Sequence, residues 1–177
     1  GWQTTCGILE SGQLHCFGTD AQPLLAPRQK DGREYDDWVE VRAGNALACG
    51  MHANGRLDCF GRRAPQPPLD ERGQPYADWH AIDIGGDSTP YACGIRVNGQ
   101  LHCFGEHRAF DNLTGELEAG RDWVSVTIGV RHGCARSGDG RGICFGEDNF
   151  GQGTPPAQYA GRWLEMDGGY AHTCGRI

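Results

Sequence analysis

The sequence predicts an all-β fold of the β-propeller type, and three observations carry that reading. First, Trp38, Trp79, Trp123 and Trp163 recur at intervals of 41, 44 and 40 residues. A repeat of about 40–45 residues is the length of a four-stranded propeller blade. Second, every unit carries a turn signal at the same place: Ser11-Gly12, Asn54-Gly55, Asn98-Gly99 and Asp139-Gly140. Asn-Gly and Asp-Gly mark hairpins because both residue types tolerate positive φ. Third, each of these turns lies midway between two cysteines with nine residues between them.

The complete copies read WVEVRAGNALACGMHANGRLDCFG, WHAIDIGGDSTPYACGIRVNGQLHCFG and WVSVTIGVRHGCARSGDGRGICFG. The first strand of a unit is expected at the Trp: Trp38-Val39-Glu40-Val41 reads as the alternation of a half-buried strand. The two cysteine-bearing strands follow, then Phe-Gly. Helical repeats share the period, but they need apolar residues at i, i+3, i+4 and i+7 over ten or more positions. Gly and Pro interrupt every such window here. The units fall at about 1–37, 38–78, 79–122, 123–162 and 163–177, read as one propeller domain or a part of one, with four to five blades. Residues 169–177 repeat the strand that residues 1–9 already supply, so the expectation is a part of a larger propeller.

At 177 residues the chain can bury a core. Its net charge is −7, and Arg62-Arg63 is its longest basic run. That excludes the electrostatic footprint of a nucleic-acid binder. No segment reaches the roughly 18 apolar residues of a membrane span. The sequence opens at Gly1 without signal-peptide regions, and the expectation is that any such peptide has been removed.

The cysteines are read as cross-strand staples: Cys6 with Cys16, Cys49 with Cys59, Cys93 with Cys103, and Cys134 with Cys144. A three-residue loop with Gly55 in the left-handed region sets Cys49 opposite Cys59. A two-residue turn sets each pair out of register, so the pairing depends on turn type. Structural zinc is the rival use, but its ligands sit two to four residues apart, which this spacing does not match; no metal and no cofactor are expected. Paired cysteines point to an extracellular or secreted protein, with periplasm or cell surface as forms of the same expectation. Cys174 aligns with the first cysteine of each pair and is unpaired in this chain, its partner expected about ten residues on.

The run Cys144-Phe145-Gly146-Glu147-Asp148-Asn149-Phe150-Gly151-Gln152 resembles the signature of the regulator-of-chromosome-condensation propellers, an aromatic-Gly pair followed by Asn and Gly-Gln. The resemblance extends through the repeat over nearly the whole chain, although only the fourth unit carries the full signature. The cysteines resemble a secreted, cysteine-paired branch of that family. The resemblance implies a seven-bladed propeller of small antiparallel sheets and leaves function open, because members serve as nucleotide-exchange factors, β-lactamase inhibitors and receptor ectodomains.

Candidate sites are few. Asn112-Leu113-Thr114 is a glycosylation sequon. His132 and His172 stand two residues before a cysteine in successive units, a recurrence that reads as structural, while His15 and His102 are expected to face outward. Asp36-Asp37, Asp70-Glu71 and Glu147-Asp148 read as solvated loop acids. No nucleophile elbow, phosphate loop or zinc-protease motif occurs, so no catalytic residues are assigned. Residues 18–37, 61–78, 106–122 and 147–162 do not repeat, and variable loops on a rigid scaffold are where recognition lies. Arg62, Arg63, Pro65 and Tyr76 are the candidate binding loop. The expected function is a non-catalytic extracellular binding or structural module with a protein partner; the alternative is a carbohydrate-binding propeller, whose glycan pockets would recur in every unit.

Overall fold

The computed structural model describes residues 4–18, 25–86, 89–105 and 115–177. Its strands fall into five small antiparallel sheets in chain order. β1 (Thr4–Ile8) pairs with β2 (Leu14–Gly18). Three-stranded sheets follow: β3 (Trp38–Ala43), β4 (Leu47–His52) and β5 (Leu57–Gly61), then β6 (Trp79–Gly85), β7 (Tyr91–Arg96) and β8 (Leu101–Gly105), then β9 (Trp123–Ile128), β10 (His132–Ser137) and β11 (Gly142–Gly146). β12 (Glu165–Gly168) and β13 (Thr173–Arg176) form the last pair. One short helix, α1 (Gly115–Ala119), precedes β9. The architecture is all-β, a succession of propeller blades. The chain divides into two compact units, Gly1–Trp79 and His80–Ile177.

In each three-stranded blade the first cysteine lies on the central strand and its partner on the neighbour. The hairpin loops have three residues: in the second blade Gly55 N–H donates to His52 O and His52 N–H to Arg56 O, both at 2.9 Å. Gly55 has φ 78°. That turn puts Cys49 opposite Cys59. The same register sets Cys6 opposite Cys16, Cys93 opposite Cys103 and Cys134 opposite Cys144. All four pairs are disulfides, with Cα atoms 4.0–4.1 Å apart. The bridged pairs are non-hydrogen-bonded, where opposed side chains approach most closely. The two halves of a bridge differ in burial. Cys49, Cys93 and Cys134 are buried on central strands, whereas Cys16, Cys59, Cys103 and Cys144 are half-buried on the outer strands, as is Cys6 on β1. Cys174 is a free, exposed thiol.

The turn glycine also receives the chain that leads to the next Trp. Trp38 N–H donates to Gly12 O at 3.2 Å, Trp79 N–H to Gly55 O at 3.1 Å, Trp123 N–H to Gly99 O at 3.3 Å and Trp163 N–H to Gly140 O at 3.0 Å. A Cβ on Gly12 would collide with the Asp36 carbonyl, and one on Gly99 with the Arg121 carbonyl. Only glycine satisfies both the positive φ and the close approach.

The indoles of Trp38, Trp79, Trp123 and Trp163 are buried. In the first unit Trp38, Leu14, Ala48 and Phe60 form a core between the first two blades. In the second, Tyr91, Ile95, Leu117, Trp123, Ile128 and Phe145 form another, and α1 joins it through Leu117, whose carbonyl accepts the Trp123 Nε1–H at 3.1 Å. Tyr91 donates its hydroxyl to His132 O at 2.9 Å, and burial raises its pKa.

Two sequence expectations need correction. The run after the Trp is not a simple alternation: register shifts between Trp38 and Glu40, so Val39 sits in a bulge and is exposed. The Phe of the Cys-Phe-Gly run, which recurs as a core residue would, is not always core either. Phe60, Phe104 and Phe145 are buried, but Phe17 is 64 % exposed, because among the described residues its side of β2 has no apolar cover.

The glycine latch and the staples can both be tested. Gly12 and Gly32 both have positive φ, yet a Cβ at Gly32 meets nothing within 4 Å. Gly32→Ala is therefore expected to cost only the left-handed penalty of about 1–2 kcal/mol. Gly12→Ala must also displace the connector, so its thermal midpoint should fall clearly further; equal midpoints would refute the latch. Intact-mass analysis should show one alkylated thiol in the native protein and nine after reduction. Each bridge lost should cost about 2–3 kcal/mol of stability.

Candidate functional site

The second blade carries a distinctive set of side chains at each of its ends. At the hairpin end of β4 and β5, His52 is buried with a carboxylate at each ring nitrogen. Nδ1 lies 2.7 Å from Asp37 Oδ1 and Nε2 lies 3.1 Å from Asp58 Oδ2. Arg56 donates to Asp58 at 2.6 Å and stacks over the Tyr35 ring at 5.0 Å. The imidazole stacks on Trp38 with centroids 3.8 Å apart, and the Tyr35 ring meets it edge-on. Burial by itself would raise the Asp58 pKa; the hydrogen bonds from His52 and Arg56 outweigh it and hold the carboxyl below its ordinary value. This quartet fastens the 25–37 connector to the hairpin. Sequence reasoning missed it. The signal was a histidine replacing the Arg96 and Ser137 of sibling strands, beside an acid that precedes each of three tryptophans.

At the opposite end of the same blade, Arg62 N–H donates to Ala46 O at 2.7 Å. Ala46 and Arg63 both have φ 55° and are the positive-φ non-glycine residues of the described chain. Arg62 and Arg63 are exposed, Pro65 is buried, and Tyr76 is half-buried. Tyr76 packs edge-on against Trp79 at 6.1 Å, as Tyr35 does against Trp38 at 6.0 Å. The connectors are thus more alike than the sequence suggests. Each holds a small hairpin, bridged at Arg28–Glu34 and Leu69–Pro75, with turns closed at Gly32 and Gly73. Tyr76 therefore belongs to this recurring packing, and the fully exposed residues of the candidate loop are Arg62 and Arg63.

The remaining candidates are dispersed. Asn112 lies outside the described residues. His132 is fully buried and its Nε2 lies 2.9 Å from Thr173 Oγ1, which itself donates to Gln152 O at 2.8 Å. The Thr173 proton is used on Gln152, so His132 donates from Nε2, and burial lowers its pKa. His172 and His15 are exposed, but His102, beside the half-buried Cys103, is itself half-buried rather than outward. Several acids expected to be merely solvated shape their loops. Asp37 holds His52; Asp70 accepts Arg72 N–H and Gln74 N–H, both at 2.8 Å. Asp148 accepts the Gly153 amide at 2.7 Å and the Thr154 hydroxyl at 2.5 Å, bonds that keep its pKa low. Among the described residues no cluster of three or more His, Cys, Asp or Glu could hold a metal, and no helix is long and apolar enough to cross a membrane.

No family model matches the sequence. No curated protein matches it either. Solved structures do. The ectodomain of the Physcomitrella patens receptor kinase CR4 superposes with a TM-score of 0.66 at 22% identity, over 98% of this chain and 46% of that one. The CRINKLY WD40 ectodomain of the Arabidopsis thaliana receptor kinase ACR4 gives 0.65 at 17% identity, over 98% and 57%. Yeast RCC1 (Prp20), solved with Kap60, gives 0.66 at 12% identity, over 98% and 52%. The fold is that of the RCC1-type propellers. At these identities the likeness is one of fold, and the chain spans about half the length of the structures it matches. The four disulfides give this RCC1-type propeller the cysteine-paired form.

The quartet makes acid stability testable. A carboxylate with a lowered folded pKa contributes stability that is complete above the ordinary aspartate range and is lost as pH falls through the folded value. Asp58→Asn should be less stable than the native protein at neutral pH, with the difference shrinking below about pH 4. Urea melts across that range would show it; a pH-independent difference would mean that the Asp58 charge contributes nothing.

Proposed function

We propose that this chain is a non-catalytic protein-interaction module of an extracellular, disulfide-stapled RCC1-type propeller. The observation that carries the reading is a separation of roles within one blade type. Trp, Cys and turn Gly recur and hold the fold, while exposed charged groups such as Arg62 and Arg63 stand on corners that differ from blade to blade. A rigid scaffold with variable corners suits recognition of a protein surface. The staples suit an oxidising compartment. Two of the structural neighbours are receptor-kinase ectodomains, which supports the extracellular placement, and another was solved with a protein partner. Glycosylation at Asn112 belongs to the same proposal.

The carbohydrate-binding alternative calls for an aromatic pocket repeated from blade to blade. The aromatics that recur are Trp and Phe; Trp38, Trp79, Trp123 and Trp163 are all buried, as are Phe60, Phe104 and Phe145, so among the described residues no exposed aromatic is repeated from blade to blade. The protein reading therefore leads. Screening the oxidised protein against a panel of extracellular ectodomains and a glycan array decides between them. Saturable binding to an ectodomain with a silent glycan array is expected. Strong array binding abolished by free sugar would overturn the proposal in favour of the lectin.

A further inference from the structure

We infer that the seam between the fourth blade and the β12–β13 sheet is an acid-sensitive joint, closed while the His132 imidazole is neutral and loosened when it takes up a proton. This goes beyond the protein-interaction reading and does not depend on what the propeller binds.

In the third and fourth blades, the residue two places before the first cysteine reaches across to the next blade. In the third blade it is Tyr91, fully buried, whose hydroxyl lies 2.9 Å from His132 O and 3.2 Å from Gly129 O. In the fourth it is His132, also fully buried, with Nε2 2.9 Å from Thr173 Oγ1 of β13. Thr173 donates in turn to Gln152 O, so one imidazole ties together β10, β13 and the connector between them. The ring also packs on Gly129, where a Cβ would stand 2.3 Å from its Cε1. The two seams are built alike and differ in how their central side chain handles protons. Burial, helped by the Asp83 charge, pushes the Tyr91 phenol upward, so it stays neutral in acid. An imidazole ordinarily titrates near pH ~6.5.

His132 is poorly placed to carry a positive charge. A second proton would go to Nδ1, which is buried and, among the described residues, makes no hydrogen bond. Burial is the largest influence and disfavours the imidazolium. The His172 backbone favours it, the His172 side chain opposes it and the Asp148 carboxylate favours it, with a lowered pKa as the result. Asp148 is itself engaged by the Gly153 amide and the Thr154 hydroxyl, and Tyr91 meets only the His132 carbonyl. Cys134, whose Sγ lies 3.8 Å from Thr173 Oγ1, is held in its bridge to Cys144 and does not titrate. The sign of the linkage follows. With the folded value below the ordinary one, the stabilisation is complete above about pH 6.5 and is lost as pH falls toward the folded value. Opening the seam lets water solvate the ring, so acid favours the open form.

The test is amide hydrogen exchange on the oxidised protein, from neutral pH down to about pH 5, with rates corrected for intrinsic exchange. Gly168 N–H, bonded across this seam to Thr127 Oγ1 at 2.7 Å, is the reporter. Ile128 N–H, bonded across the preceding seam to Asp83 Oδ2 at 2.7 Å, is the internal control. Protection at Gly168 should fall by up to about tenfold per pH unit below the ordinary histidine value, while that at Ile128 stays level. His132→Tyr, which copies the Tyr91 seam, should remove the response, as should His132→Gln; His172→Gln should leave it in place. A measurement without variants stands beside these: NMR titration of the native protein should find the His132 ring still neutral below about pH 6.5. The inference is overturned if that ring titrates at or above the ordinary value, or if Gly168 protection ignores pH. It is equally overturned if Gly168 and Ile128 lose protection together, or if His172→Gln abolishes the response.

Discussion

The structure depends on one recurring contact: the backbone N–H of a tryptophan held by the carbonyl of a hairpin glycine about 25 residues earlier. It is a single hydrogen bond, yet it fixes three things at once. It sets where the connector ends, where the next sheet begins and which way the indole points. Trp38 then falls between the first two blades and closes their core. Trp123 does the same in the second unit, with α1 capping its indole. Hydrophobic burial supplies the bulk of the stabilisation, but the latch selects the register in which burial occurs.

The disulfides act on a different scale. Each closes a short loop within one hairpin, so it stiffens a blade without tying blades together. Cohesion between neighbouring blades comes instead from side chains that reach across. In the second unit, Asp83 accepts the Ile128 amide at 2.7 Å, and Thr127 accepts the Gly168 amide at 2.7 Å. Tyr91 reaches the carbonyls of Gly129 and His132. Blade rigidity and blade stacking are therefore carried by separate interactions, which leaves the corners between strands free to vary.

That freedom shows most clearly in the second blade. One end holds the His52 quartet, where two acids, an arginine and two aromatic rings enclose an imidazole. The other end presents Arg62 and Arg63, the latter with positive φ. Side chains at the first end are drawn into one cluster around a buried ring and bind the connector; the arginines at the second lie exposed to solvent.

The sequence by itself determined the repeat, the propeller class and the positions of the staples. These follow from local rules: a fixed Trp period, a turn glycine midway between cysteines, and strand-length runs on either side. It left turn type open, and the structure decided it through the three-residue loop that aligns Cys49 with Cys59, and likewise Cys6 with Cys16 and Cys93 with Cys103. It read Asp37 and Asp148 as solvated loop acids and Tyr76 as part of a binding loop, and missed what each of them contacts. A loop side chain's role depends on what another segment brings against it: Asp37 becomes a partner of His52, Asp148 ties its own loop through Gly153 and Thr154, and Tyr76 packs on Trp79. Phe17 makes the same point in reverse. It stands in the same Cys-Phe-Gly run as its buried counterparts and is exposed because burial is a property of the neighbour, which no local pattern encodes.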